Sequence, residues 1–397
     1  MKKILFITYE YSTYTPFGGI AFYYSRVAQI FARQGFNVTV IAAKVGEKDT
    51  IEINQSNNLK EVFIPCNDSG TFQKLAIEWL IQNYVKYDIL ELPEFGALFY
   101  DDVITGKLKT FADKIVVRVH GTTLLASIYD VPNNFRQTFI HIYNWFLLNK
   151  VSLRLLKYTK SKKYKIAKAN FREFGLIKNA DVVTVTSNIM AAFVNKYWLK
   201  SNKSIVFPNP SQYNIGVYEK RFFEKTAFNV SYVNRLQYWK GFDLFYLLSN
   251  PFSKMENIKF SAFGSYSQLN IGFTKEEISK TVELMGFVNT DELFDIYRKS
   301  QVIIVPSRFE SFSNVALEAM GFGCIVIVSD NVGMAEHITH GLNGFVFQSD
   351  NYQSLEIVFN EIMAMEGTEL ESISFNAYQE ALKLSENKEL LEFYHSV

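Results

Sequence analysis

Short β-branched and aromatic runs recur along the 397-residue chain, separated by segments whose apolar residues fall at helical spacing. This alternation constrains the fold more than any other feature of the sequence. It predicts strands at Ile4–Thr8, Val38–Ala42, Asp88–Leu92, Ile115–His120 and Asp181–Thr186. A second series follows at Ser204–Phe207, Val230–Val233, Ile258–Phe263, Glu283–Phe287, Val302–Val305, Ile325–Val328 and Phe345–Phe347. Helical spacing lies between them, at Ala21–Gln34, Phe72–Lys86, Ile189–Tyr197, Asp291–Lys299 and Ser354–Ala364. Apolar strands joined by amphipathic helices form parallel sheets covered on both faces. One open sheet holding all of these strands would be unusually wide, so two doubly wound domains are expected. The break is expected in Phe207-Pro208-Asn209-Pro210-Ser211-Gln212-Tyr213-Asn214, where two prolines and polar turn residues cannot continue a strand. That gives domains at 1–207 and 208–375, with an acidic helix at 376–397 packed back on the first.

Hydrophobic residues make up 48% of the chain and charged residues 20%, the balance of a soluble globular protein. No apolar stretch reaches the length of a membrane span. Met1–Tyr9 reads as a first strand rather than a leader, because Glu10 follows at once and no small-residue cleavage site appears. Cys66 and Cys324 lie far apart and read as buried free thiols of a reducing cytoplasm. The net charge of +1 hides an asymmetry: residues 1–200 hold 26 Lys+Arg against 16 Asp+Glu, and the remainder reverses the sign. Much of the excess lies in 150–178, where Glu173 is the one acidic residue.

The most specific chemistry lies in Pro306–Met320, which carries Glu310 and Glu318 between the apolar runs Val302–Val305 and Ile325–Val328. The order strand, loop, helix, strand puts Glu310 on the loop and Glu318 inside the helix. A helix N-terminus offers free backbone N–H groups to an anion, and carboxylates grip hydroxyls, so the segment suits a ligand bearing both phosphate and sugar. Arg235 and Lys240 follow a strand end, where open α/β sheets bind ligands, and suit a diphosphate; solvated loop charges are the alternative. Gly18-Gly19 opens a helix after the first strand, for close approach to phosphate or for turn geometry alone. His120 ends the fourth predicted strand and is either functional or a structural strand-end histidine. No Asp-x-Asp pair occurs at a strand end, which disfavours metal-bridged phosphate binding. The phosphate loop of nucleotide triphosphatases, the hydrolase nucleophile elbow and the Gly-x-Gly-x-x-Gly fingerprint are all missing.

Together these elements resemble the family 4 retaining glycosyltransferases of the GT-B fold, two Rossmann-like domains facing across a cleft. The likeness covers nearly the whole chain and is strongest from Tyr232 to Phe347. It is carried by Gly18-Gly19, His120-Gly121, Asn234-Arg235 through Lys240-Gly241, Phe263-Gly264 and the Glu310/Glu318 pair. Gly333-Met334-Ala335-Glu336 and Gly341-Leu342-Asn343-Gly344 add to it. The resemblance implies transfer of a sugar from a nucleotide donor, a UDP-sugar ahead of a GDP-sugar, with retention and without a metal or other cofactor. It implies Arg235 and Lys240 as the diphosphate clamp, Glu318 on the ribose and Glu310 on the donor sugar. The backbone at Phe312, Ser313 and Asn314 would cap that sugar, Gly18 and Gly19 the distal phosphate, and His120 would stand near the transferred ring. Three positions depart from the family's usual pattern: Ser313 and Val332 where glycine is frequent, and Cys324 where proline is.

The implied acceptor is a glycan or a lipid-linked glycan of a cell-surface polysaccharide or glycoconjugate. Basic residues of 143–178 beside the aromatic run Tyr143–Phe146 suit peripheral contact with an anionic inner-membrane face. Nucleic-acid binding is not expected, since the recognised folds of that class are absent. A non-catalytic partner of the same architecture and a nucleotide-sugar epimerase are the alternatives.

Overall fold

The computed structural model describes residues 1–11, 14–15, 18–46, 50–123, 125, 162–199, 204–211, 215–221, 223, 228–266 and 272–397, the side chains of 162–167 and 290 excepted. The chain divides into two compact units. Among the described residues, one takes the chain up to residue 212 and regains it at 387–397; the other takes 213–386.

Among the described residues the first unit carries an eight-stranded sheet in the order β3-β4-β2-β1-β5-β6-β7-β8. Its strands are β1 (Lys3–Thr8), β2 (Asn37–Val45), β3 (Glu52–Ser56), β4 (Leu59–Cys66), β5 (Tyr87–Pro93), β6 (Ala112–Val119), β7 (Val182–Val185) and β8 (Ile205–Val206). All neighbours are parallel except β3 and β4. In β1 every residue after Lys3 is buried, as befits a strand with helices on both faces. Helices α1 (Gly19–Arg33), α2 (Ser69–Gln82), α3 (Lys162–Lys178) and α4 (Asn188–Val194) belong to this unit.

The β3–β4 hairpin was not expected. β3 reads Glu-Ile-Asn-Gln-Ser, is largely exposed at the sheet edge, and therefore lacks the apolar run that marks a covered strand. Its signal lies in the turn, where Asn57 takes φ 39° between paired Ser56 and Leu59.

The second unit carries a wholly parallel sheet in the order β11-β10-β9-β12-β13-β14. Its strands are β9 (Phe228–Val233), β10 (Ile258–Phe263), β11 (Glu283–Gly286), β12 (Val302–Val305), β13 (Ile325–Ser329) and β14 (Phe345–Phe347). Counted within the unit this is the 3-2-1-4-5-6 order of a Rossmann sheet, with its switch point between β9 and β12. Successive residues serve opposite faces. Val302, Ile304, Ile325 and Ile327 join one core, while Ile303, Val305, Val326 and Val328 join the other. Helices α5 (Phe242–Phe252), α6 (Thr290–Lys299), α7 (Asn314–Gly321), α8 (Tyr352–Ala364) and α9 (Gly367–Ser385) complete it.

The single helix expected at 376–397 is instead two. α9 stays with the second unit, Asn387 turns the chain at φ 46°, and α10 (Lys388–Ser396) rejoins the first. There Leu390 and Tyr394 enter the core with Ile4, Phe6, Phe31 and Phe36, and Lys2 Nζ donates to His395 O at 2.7 Å. Asn387 in a left-handed conformation cannot continue the helix, which is why an unbroken apolar pattern hides a break. Of the basic segment 143–178, residues up to 161 lie outside the described residues. Among the described residues no helix is long and apolar enough to cross a membrane.

Candidate functional site

In the second unit the site is built where strand ends meet at the backbone. Gly241 has φ 71°, and a Cβ on it would stand 1.9 Å from Pro306 O. Gly264 has φ 158°, and its Cβ would stand 1.9 Å from Asn234 O. The loops after β9, β10 and β12 therefore press together at the switch point, and only glycine permits it.

Lys240 leaves that junction as a buried cation, its Nζ 3.1 Å from Glu310 Oε1. Burial lowers the lysine's pKa, the Glu310 charge acts against that, and the Arg235 guanidinium adds to the lowering. Trp239 lies between the two cations, its ring 4.4 Å from Lys240 Nζ and 5.5 Å from Arg235 Cζ. Arg235 itself is exposed. Two cations and one carboxylate thus gather at one strand end, leaving a positive excess suited to an anion.

The Glu310 loop is held on several sides. Ser307 Oγ donates to Glu310 Oε2 at 3.0 Å. The Glu310 amide donates to Asn331 O, and its carbonyl accepts from Gly333 N at 2.9 Å. Met334 N donates to Phe312 O at 2.8 Å, so the segment 331–334 fixes the loop from beneath. Ser313 then adopts φ 104° and ψ 94°, a glycine-like conformation for a buried serine, and its Oγ accepts from Ala316 N at 3.3 Å. It is the N-cap of α7, whose first amides at Asn314 and Val315 lack helical partners by geometry.

Glu318 lies one turn into α7 and is buried. Tyr297 Oη donates to its Oε2 at 2.9 Å, while Oε1 has no hydrogen-bond partner. Burial pushes its carboxyl up to about 8, with the Tyr297 bond opposing. Glu318 makes no ion pair with Lys240 among the described residues, so the two glutamates occupy separate niches.

Arg308 was not anticipated. It is buried, grips Asp243 with two bonds of 2.7 Å, donates to Asp350 at 2.6 Å and to Tyr238 O, and stacks 3.6 Å above the Tyr238 ring. It ties the Glu310 loop to the first turn of α5 behind Lys240. Its sequence position between Ser307 and Glu310 was visible, but nothing in the pattern distinguished a buried strut from a ligand-facing cation. A groove of about 490 Å³ lined by Asn229, Ser231, Ser261 and Lys299 contains none of these groups.

In the first unit Gly18 and Gly19 are exposed at the start of α1. Glu10, which sequence reasoning passed over, sits beside them, its carboxylate 3.4 Å from where a Gly18 Cβ would stand and raised to about 7 by burial. His120 directly follows β6 and is buried, its ring 4.8 Å from that of Tyr23 and 6.0 Å from that of Tyr24. Its Nε2 has no partner, and burial, helped by Arg118, holds it well below the usual imidazole pKa. Among the described residues no group of three or more His, Cys, Asp or Glu side chains could hold a metal ion.

Residues 218–380 match the family model described as Glycosyl transferases group 1. An uncharacterized glycosyltransferase of Methanocaldococcus jannaschii is 33% identical over 129 residues, 32% of this chain and 33% of that protein. A D-inositol 3-phosphate glycosyltransferase of Corynebacterium urealyticum is 28% identical over 123 residues, 30% of this chain and 29% of that one. The matched stretch thus spans about a third of the length of these curated relatives. Among solved structures, sucrose-phosphate synthase from Thermosynechococcus elongatus aligns over 100% of this chain and 98% of its own, at TM-score 0.70 and 18% identity. Anabaena HepE in complex with UDP and glucose aligns over 100% of both chains at TM-score 0.65 and 16% identity. These likenesses show the GT-B fold, and with the family match they bear out the resemblance to group 1 glycosyltransferases.

Proposed function

We propose that this chain, whose residues 218–380 match the group 1 glycosyltransferases, moves a sugar from a nucleotide-diphosphate sugar to a glycan or lipid-linked acceptor with retention at the anomeric carbon. The reading rests above all on the buried Lys240–Glu310 pair at the switch point of the second sheet, with Arg235 beside it. We assign Lys240 and Arg235 to the diphosphate and Glu310 to the donor-sugar hydroxyls. The unpartnered Oε1 of Glu318 suits a ribose hydroxyl, since a buried polar atom left without a partner costs stability that a ligand can restore. The α7 amides beyond Ser313 suit the developing charge. As the nucleotide diphosphate leaves, fixed cations and helix N–H groups stabilise it by several kcal/mol without reorganising. No metal is required for this countercharge.

In the first unit we assign Gly18 and Gly19 to phosphate and His120 to the sugar, as the resemblance implies. We favour UDP-sugars over GDP-sugars as donors, and the HepE structure in complex with UDP and glucose accords with that choice. A thermal-shift series with UDP-, GDP- and ADP-sugars tests the reading, because the true donor raises the melting temperature with its concentration. No shift with any of them would remove its basis. Nucleotide release that depends on an added acceptor would separate an enzyme from a binding protein. Contact of 143–178 with an anionic membrane belongs to the same reading. Flotation with anionic but not neutral vesicles at low salt is the expected result, and equal flotation with both would reject it.

A further inference from the structure

Among the buried carboxylates of the first unit that remain outside the functional reading, Glu94 and Glu173 grip the segment that begins with His120. Glu94, just past β5, is fully buried, and its two oxygens accept from consecutive amides, Oε2 from His120 N at 3.0 Å and Oε1 from Gly121 N at 2.7 Å. Glu173, on α3, is also fully buried and takes both the amide and the hydroxyl of Thr123, at 3.0 and 2.5 Å. Glu173 further accepts from the Gly96 backbone, which links it to the turn that carries Glu94.

Neither carboxylate forms an ion pair with a cation among the described residues. Burial raises Glu94 to about 8 and the nearby Glu173 charge adds to this, while burial raises Glu173 to about 7. Two acids of like sign placed in a dry interior are costly, and packing alone does not require them. What they accomplish is geometric. Four bonds hold three of the four residues after β6, and the first of these bears the imidazole whose Nε2 is unpartnered. The Tyr23 and Tyr24 rings limit the imidazole from the side, and the strap bonds hold the backbone that carries it as it leaves β6.

We propose that Glu94 and Glu173 are positioning residues that place the His120 ring for sugar transfer by clamping the backbone from His120 to Thr123. The inference rests on the assignment of His120 to the transferred sugar. A glutamine at 94 would aim an N–H₂ group at a backbone N–H, so the strap must shift, whereas one at 173 can still accept from the Thr123 amide and donate to its hydroxyl. Small misplacements of a reacting group cost up to about 100-fold in rate.

The test compares Glu94→Gln, Glu173→Gln and Thr123→Val, the last removing one hydroxyl contact with little risk to folding. The probe is nucleotide release from UDP-glucose or GDP-mannose, whichever the wild-type protein turns over faster. Expected is a fall in kcat of about 10-fold or more for Glu94→Gln and smaller falls for Glu173→Gln and Thr123→Val, with donor KM nearly unchanged. In a His120→Ala background the same changes should alter kcat by no more than about twofold, since residues acting through one group are not additive. Wild-type kcat in Thr123→Val and in whichever glutamine variants fold would overturn the inference while leaving the functional reading intact. Equal losses with and without His120 would also overturn it, as a purely structural effect. A wild-type protein that turns over neither donor would overturn the functional reading, and this inference with it.

Discussion

Lys240 stands inside the protein with its charge answered by Glu310 and opposed by Arg235. Removing either cation should therefore reach beyond a surface effect: Lys240→Ala and Arg235→Ala are each expected to lower turnover by roughly 100-fold, as loss of an oxyanion donor does. Steady-state kinetics checks this, and near wild-type kcat in both would reject the clamp. Glu318 makes a prediction about pH. Its folded pKa, about 8, lies above the ordinary carboxylate value, so between roughly pH 4.5 and 8 the folded state holds a proton that the unfolded chain has lost. Its contribution to stability is thus greatest at low pH and falls as pH rises through that window. Glu318→Gln should flatten the decline, visible as a smaller drop in denaturation midpoint between pH 5 and pH 8. An unchanged slope would place the titration elsewhere. Ser313 shows what a sequence can flag without explaining. It was recognisable as a departure from glycine, and its φ of 104° supplies the reason glycine is usual there. Ser313→Gly should relieve about 1 kcal/mol or more of backbone strain while losing only a few tenths from the cap, a net gain measurable by denaturant unfolding.

Among the elements, those of the second unit were the most legible. The strands β12 and β13 are four- and five-residue apolar runs buried throughout, and no other structure suits such runs between amphipathic helices. Both glutamates of the site could be placed on loop and helix for the same reason. The exposed, polar edge strand β3 was not legible, because it has no burial to record in its composition, whereas β4 carries the buried apolar run Val62-Phe63-Ile64 and was missed for want of its partner. Nor could sequence show that Glu94 and Glu173 reach one strap, since they lie 79 residues apart and meet only through the sheet order and α3. The junction of strand-end loops carries its own prediction. Gly241→Ala puts a methyl group into the Pro306 carbonyl at a positive φ, so the loops must separate. The expected result is a loss of several kcal/mol in stability, or insoluble protein, where a substitution at open Gly216 is tolerated. A fully stable Gly241→Ala variant would show that the close approach is not needed.

At the scale of the whole molecule, the chain forms two units and its last helix rejoins the first; a returning helix at 376–397 was the expectation, but not the break at 387, which depends on one asparagine in a left-handed turn. Deleting residues 387–397 removes two fully buried side chains, Leu390 and Tyr394, from the core of the first unit. Each such loss costs about 3 kcal/mol or more, so the first unit should lose amide-exchange protection while the second keeps its own. Equal protection of both would contradict the packing. There is a consequence for how the molecule is made. A ribosome delivers the sheet of the first unit early, but the piece that seals one end of it arrives only after every strand of the second has been synthesised. The half that begins first must therefore finish last, and until then its open flank invites chaperones.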